Sequence, residues 1–325
     1  MHAVVGLSDR SAAAAERLDR AQWHKPLISI VVTHHNYSEH LKDALLSVLD
    51  QTHENWECVV VDDGSREEHR RAAGAIVEAI GSEKIRLIPL PENVGQLPAV
   101  FAGLDATRGE FVCILDPDDR YAETFLAEAL AAHLNGAIYA PLVCTDQYLM
   151  RDNGVITGIY GRFNKRFIEN DIVPDRIPRK LEFISPTAEK WRWTSTSAMM
   201  FRRPAMMLMR PHRKLAYKAF ADTYLAQGAN MLGGSLYLNQ PLIYRTAHSA
   251  NVYLAEGLFA LSQDKRRPDH SGVGLQCRND VIEAIRANGG AAHLTTRKEK
   301  NLLKRLARTI KTRWRALFPR RRSSR

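Results

Sequence analysis

Cysteine is scarce. Cys58, Cys113, Cys144 and Cys277 are far apart, and none forms a C-x-x-C pair or a His/Cys ligand cluster. That excludes a disulfide framework and a zinc ribbon. Long apolar runs are absent as well. The nearest candidate, "FLAEALAAHLNGAIYAPLVC", is broken by Glu128, His133 and Asn135, so no membrane span is expected. The first 26 residues lack a basic leader followed by an apolar core, and residues 1–26 read as a loose leader ending at Pro26. The expected location is therefore the cytosol. Glycine is missing from "THHNYSEH" after the first strand-like run, where a nucleotidyltransferase would carry its phosphate loop.

The net charge of +10 is not spread over the chain. Residues 297–325 hold 13 of the 46 Lys and Arg against Glu299 alone, leaving 33 basic and 35 acidic residues before them, a net of −2. The body has no nucleic-acid reading motif, and no nucleic-acid partner is expected.

What is present is alternation. "LISIVVTHHN" is a short β-branched apolar run, as expected of a strand covered on both faces. In "SEHLKDALLSVLDQT", Leu41, Ala44, Leu45, Val48 and Leu49 fall on one helical face, with Ser38 as the expected cap. "WECVVVDDGS", "KIRLIPL" and "EFVCIL" read as further strands, and "REEHRRAAGAIVEAIG" and "QLPAVFAGLDAT" as the helices between them. Short connections between alternating strands and helices imply a mainly parallel, Rossmann-like sheet flanked by helices, with ligands beyond the carboxyl ends of the strands. Polar residues gather at those ends: Thr33 to Asn36, Asp62 to Ser65, and Asp116 to Asp119. Farther on, Asn153-Gly154 suggests a hairpin, and residues 160–190 read as a long loop-like excursion.

The stretches "ISIVVTHHN", "SVLDQTHENWECVVVDDGS", "PENVGQ" and "GEFVCILDPDDRY" together resemble glycosyltransferase family 2, whose fold is called GT-A. The resemblance is dense over 27 to about 125 and thinner to about 252, through "SAMMFRR", "ADTYLAQGA" and "PLIYRTAHSAN". It implies a nucleotide-sugar-binding half over 27–140, an acceptor-binding half over 141–255 and a helical extension over 256–296. It also implies an inverting transfer of one sugar from a nucleoside diphosphate, preferably a uridine diphosphate sugar. The element Q-x-x-R-W of processive synthases is absent.

The diphosphate needs a hard cation, Mn²⁺ or Mg²⁺, bound through carboxylate oxygens. The resemblance puts Asp116 at the ribose or metal edge, Asp118 on the metal and Asp119 toward the donor sugar; an acidic turn at a helix start is the plainer account. Asp62 and Asp63 would meet base and ribose, with Thr33 and Asn36 lining the base pocket, although Gly64 and Ser65 also make an ordinary turn and cap. Asn93 and Gly95 match the family's loop near the nucleotide, and equally a plain turn. Asp222 in "AFADTYLAQGA" is the expected catalytic base, where Ala221 replaces the family's usual first acid. That departure is the one support for an alternative, a catalytically silent nucleotide-sugar-binding protein. His248 in "YRTAH" would touch metal or diphosphate if it is not simply structural, and Tyr244 and Arg245 would contact phosphate. Trp191 and Trp193 suit stacking on a sugar, or an ordinary buried place.

In "KNLLKRLARTIKTRWRALFPRRRSSR", Leu302, Leu303, Leu306, Ile310, Leu317 and Phe318 share a side of a helix, with Trp314 near its edge and cations elsewhere. An apolar stripe under a cationic face suits an anionic membrane surface. A helix docked on the body or a solvated charged end fits the same residues. With the membrane reading, the expected acceptor is a lipid-linked saccharide at the inner face of the cell membrane.

Overall fold

The computed structural model describes residues 25–136, 138–151, 154–161, 165–167, 177, 179–188, 191–218, 220–247 and 272–294. Its first half follows the alternation. Strand β1 (Ile28–His34) is buried along its whole length, as its unbroken apolar sequence requires. Helix α1 (Leu41–Leu49), β2 (Trp56–Asp62), α2 (Glu67–Ile80), β3 (Ile85–Pro89), α3 (Gln96–Asp105) and β4 (Phe111–Leu115) follow. The strands lie in the order β3-β2-β1-β4, all parallel. The order reverses between β1 and β4, which opens a crevice beyond their carboxyl ends. Gly103 lets α3 sit close on the sheet, since a Cβ there would lie 2.4 Å from Val31 Cγ1.

The second half is mixed. It runs β5 (Arg120–Tyr121), α4 (Phe125–His133), β6 (Leu142–Arg151), β7 (Ile156–Tyr160), β8 (Lys165–Phe167), β9 (Leu181–Ile184), β10 (Met199–Arg202), α5 (Arg203–Leu208), α6 (Ala221–Gly233), β11 (Ser235–Ala247) and α7 (Val273–Ala287). Strand β10 is inserted antiparallel between β4 and β6, β11 runs parallel to β6, and β5 runs antiparallel on β11. The β6–β11 register shifts on both sides of Pro241, which has no N–H to give to a ladder. The result is a mostly parallel sheet flanked by helices, consistent with a Rossmann-like GT-A core.

Three local expectations are corrected. Ser38 does not cap α1: the helix begins after His40, and the Ser38 hydroxyl bonds His69 Nδ1 at 3.0 Å instead. Ser65 does not cap α2 either, because its hydroxyl accepts the Asn36 N–H at 2.9 Å. The excursion over 160–190 contains strands β8 and β9, the latter antiparallel on β11. Among the described residues no helix is long and apolar enough to cross a membrane, and all four cysteines are free and buried.

Candidate active site

Strand β4 leaves the core at Leu115, and Asp116 to Asp119 turn the chain back into β5. The turn closes with the Asp119 N–H on the Asp116 carbonyl at 3.1 Å. Ser197, in the 3-10 turn Thr196–Ala198 before β10, serves both ends of it. Its hydroxyl accepts the Asp116 N–H at 3.1 Å and donates to Asp119 Oδ2 at 2.6 Å. The Thr246 N–H approaches Asp119 Oδ1 at 3.3 Å. Both oxygens of Asp119 are thus held by the protein, which makes it a brace of the turn. Gln96, the first residue of α3, donates its side-chain N–H to Asp116 Oδ1 at 2.7 Å.

Burial and the neighbouring Asp118 raise the Asp116 carboxyl to about 7, against the pull of Arg245 and the hydrogen bond from Gln96. Burial, then Asp118 and Asp116, push Asp119 well above the usual carboxylate range. The cluster carries more negative charge than its surroundings compensate, the condition a bound cation relieves. Among the described residues no set of three His, Cys, Asp or Glu side chains is arranged to hold a metal alone. Asp118 and the remaining oxygen of Asp116 still fit Mg²⁺ or Mn²⁺, which take one or two carboxylates and complete their shell with phosphate and water.

Asp222 is the second residue of α6, just after Phe220, whose φ of 73° is unusual for a residue other than glycine. The Thr223 N–H and hydroxyl reach Asp222 Oδ1 at 2.6 and 3.2 Å. Burial raises the Asp222 carboxyl, opposed by Thr223 and by the charge of Arg245. Arg245 also acts on Asp116 and Asp119, and Asp222 acts on Asp116, so these groups form one electrostatic cluster. Tyr244 departs from expectation: side chains alternate along β11, and it faces away from Arg245, toward α1. Ala221 is 1% exposed, so the family's usual acid would be driven into the core at that position.

At the other end of the crevice the acids are engaged. Asp62 Oδ1 accepts the Ser65 N–H at 3.0 Å, and Oδ2 accepts Arg70 Nε at 2.8 Å. Burial pushes the Asp62 carboxyl up, but these bonds outweigh it and leave the group below the usual range. Asp63 takes the N–H groups of Val94 and Gly95, at 2.7 and 2.9 Å, on its two oxygens. It thereby fixes the loop holding Asn93, whose side-chain oxygen accepts Lys218 Nζ at 2.8 Å. Gly95, at φ 95°, leaves no room for a side chain, since a Cβ would meet the Lys218 backbone at 3.0 Å. Asn36, at φ 52°, accepts the Arg66 N–H on its side-chain oxygen at 2.7 Å, and Thr33 is buried at the end of β1. The structure therefore brings the expected nucleotide residues to one rim, but as a bonded framework.

Trp193 is not available to a sugar face: it is 4% exposed, with its indole N–H donated to Ser235 Oγ at 2.9 Å. Trp191 is 40% exposed and meets Trp193 edge to face. His248 and the segment 297–325 lie outside the described residues. Gln96 and Ser197 are not among the site residues expected from sequence, although each lies in a stretch that carries the family resemblance, Gln96 closing "PENVGQ" and Ser197 opening "SAMMFRR".

A model of the family described as "Glycosyl transferase family 2" matches residues 29–203. An uncharacterized glycosyltransferase of Nostoc sp. is 26% identical over 255 residues, covering 78% of this chain and 74% of its own. The putative teichuronic acid biosynthesis glycosyltransferase TuaG of Bacillus subtilis is 33% identical over 106 residues, covering 33% of this chain and 41% of its own. Human dolichyl-phosphate beta-glucosyltransferase is 32% identical over 106 residues, covering 30% and 33%. Among solved structures, S. aureus TarS 1-349 in complex with UDP-GlcNAc superposes with a TM-score of 0.50 at 18% identity, covering 69% of this chain and 59% of that one. That likeness is one of fold.

Proposed function

The chain belongs to glycosyltransferase family 2, and from that premise we propose that it is an inverting, metal-dependent transferase adding one sugar to a glycan acceptor. The donor is a nucleoside-diphosphate sugar, with uridine diphosphate preferred; the fold's likeness to TarS bound to UDP-GlcNAc supports that choice. The acceptor is a lipid-linked saccharide in surface polysaccharide assembly. Relatives named for teichuronic acid biosynthesis and for a dolichyl-phosphate substrate support it. The tail 297–325 would hold the enzyme on an anionic membrane at its cytosolic face.

The observation that carries the reading is the single electrostatic cluster of Asp116, Asp118, Asp119, Asp222 and Arg245 at the carboxyl end of the sheet. Asp118 and Asp116 would hold Mn²⁺ or Mg²⁺. When bound, the ion would offset the charge of the diphosphate leaving group. The Arg245 guanidinium would add a second positive charge toward the same phosphates. Gln96 keeps Asp116 turned to its task, and Ser197 and Asp119 keep the turn in shape.

Asp222 would act as general base. As the acceptor oxygen bonds the anomeric carbon, the carbon–oxygen bond to the diphosphate breaks and its electron pair leaves with the phosphate. The acceptor's proton passes to the Asp222 carboxylate. A carboxyl raised by burial is a better proton acceptor at neutral pH than one in water. Attack from the face opposite the leaving group inverts the centre. Burial of Ala221 supplies a packing reason for the missing acid.

The test is calorimetric titration of the full chain with Mn²⁺ together with uridine, guanosine or thymidine diphosphate. We expect saturable heat and a rise in melting temperature that both require the metal. No heat and no stabilisation with any of the three overturns the reading.

A further inference from the structure

We propose that a small cationic cavity between α6, α7 and the segment carrying Trp191 binds an anionic group, carboxylate or phosphate, on the acceptor saccharide. The proposal rests on the transferase reading above and adds the chemistry of the acceptor to it.

The cavity has a volume of about 40 Å³. Its walls include Gln227, Asn230 and Met231 of α6, Arg278 of α7, and Trp191 with Trp193. Asn230 is already engaged: its amide donates to the Ser185 carbonyl at 2.9 Å, and its oxygen accepts Ser235 Oγ at 2.6 Å. Gln227 and Arg278 differ. Both are half-buried, and neither has a hydrogen bond or ion pair among the described residues. No described carboxylate lines the cavity, so the Arg278 guanidinium stands in its wall without a counter-charge. Polar groups partly withdrawn from water normally find partners. An anion would supply them here, because a guanidinium presents a fork of N–H donors that matches carboxylate or phosphate oxygens.

Such a volume holds roughly three water-sized groups, enough for a carboxylate and too little for a sugar ring. The ring has a platform beside it. Trp191 is 40% exposed, and it is propped edge to face on the buried Trp193 with ring centroids 5.3 Å apart. An indole held this way suits the C–H side of a pyranose whose charged substituent enters the cavity. The position suits an acceptor. Asp222 is the second residue of α6, and Gln227 follows on the same helix, about 7.5 Å farther along its axis. Helix α7 packs on α6. Burial raises the thiol of Cys277, the residue before Arg278, and the charges of Asp280 and Asp222 add to it. The base and the start of α7 thus lie within electrostatic reach of each other. From the opposite wall, the chain runs from Trp193 directly to Ser197, which holds both ends of the acid turn.

The test titrates the full-length protein with three matched oligosaccharides, one neutral, one bearing a uronate and one a sugar phosphate, and measures donor-sugar hydrolysis in parallel. We expect a charged probe to bind at least about tenfold tighter than the neutral one, and the tighter of the two identifies the source of the charge. Arg278→Gln should abolish that preference while neutral binding persists. Neutral binding equal to or tighter than both charged probes overturns the proposal, as does a preference that survives Arg278→Gln. Should Arg278→Gln lose the neutral probe as well, Gln227→Glu decides: the added carboxylate should weaken charged probes about tenfold and spare the neutral one, and the absence of that split overturns the proposal. Donor hydrolysis without any charged preference overturns the cavity alone. A charged preference without hydrolysis overturns the transferase reading and keeps the cavity.

Discussion

Gln96 donates its side-chain amide to Asp116 Oδ1 at 2.7 Å, while its own backbone N–H is held by the Lys218 carbonyl at 3.2 Å. One residue thus joins the acid turn after β4 to the segment leading into α6 and Asp222. A hydrogen bond to a charged group contributes roughly 1.5–3 kcal/mol. Gln96→Leu should therefore raise the apparent Kd for Mn²⁺ with uridine diphosphate roughly tenfold or more. Melting without ligand should fall as well, because the bond is already made in the free protein; calorimetry beside a thermal scan reads both.

Asp222→Asn keeps the side chain's size and removes its basicity. Turnover should fall by roughly 10²–10⁴, the usual contribution of a positioned base, with nucleotide affinity unchanged. Unaltered turnover would assign proton removal to another group.

Restoring the family's acid at the preceding position should harm the protein. Ala221→Glu would place a carboxyl in the core without a partner, at a cost of about 3 kcal/mol or more. Urea denaturation should show the midpoint falling steeply, with no gain in activity.

His133 sets an acid limit. It is buried, with Nε2 bonded to the Met200 carbonyl at 3.0 Å, and burial lowers it to about 3, with Arg202 lowering it further against that bond. The unfolded chain takes up this proton near 6.5, and the native state does not until about 3. This contribution is complete above pH 6.5 and is lost as pH falls, by about 1.4 kcal/mol per unit. His133→Gln should flatten the fall in melting temperature between pH 6.5 and 4; His34, also lowered by burial, retains a share.

Deleting 297–325 should release the protein from phosphatidylserine vesicles in flotation assays and spare donor hydrolysis. Binding that persists after the deletion would reject the membrane role of the tail.

The first half was legible because a parallel sheet covered on both faces demands continuous apolar strands, and amphipathic helices announce themselves between them. Strand ends were legible for the same reason, and with them Asp116 and Asp118; Asp222, in the first turn of α6, follows only from the family resemblance. What escaped was allocation. The sequence does not say that Asp62 is taken by Ser65 and Arg70, or that Asp63 is taken by Val94 and Gly95. The partners of Asp63 lie 31 and 32 residues away, and hydrogen bonds over that separation leave no periodic trace. Trp193 looked like a sugar platform because an aromatic side chain is equally at home in a core. Tyr244 and Arg245 looked like a pair, although neighbours on a strand point to opposite faces.

Ser197 belongs to the later part of the chain, yet its hydroxyl links the two ends of the acid turn formed by the earlier part. The turn is therefore unfinished until β10 has docked beside β4. A fragment stopping near residue 140 would keep every acid of that turn and still lack the clasp. Recombining nucleotide-binding and acceptor-binding halves from different relatives would work only where a small hydroxyl residue arrives at that spot, so the two halves must evolve in step.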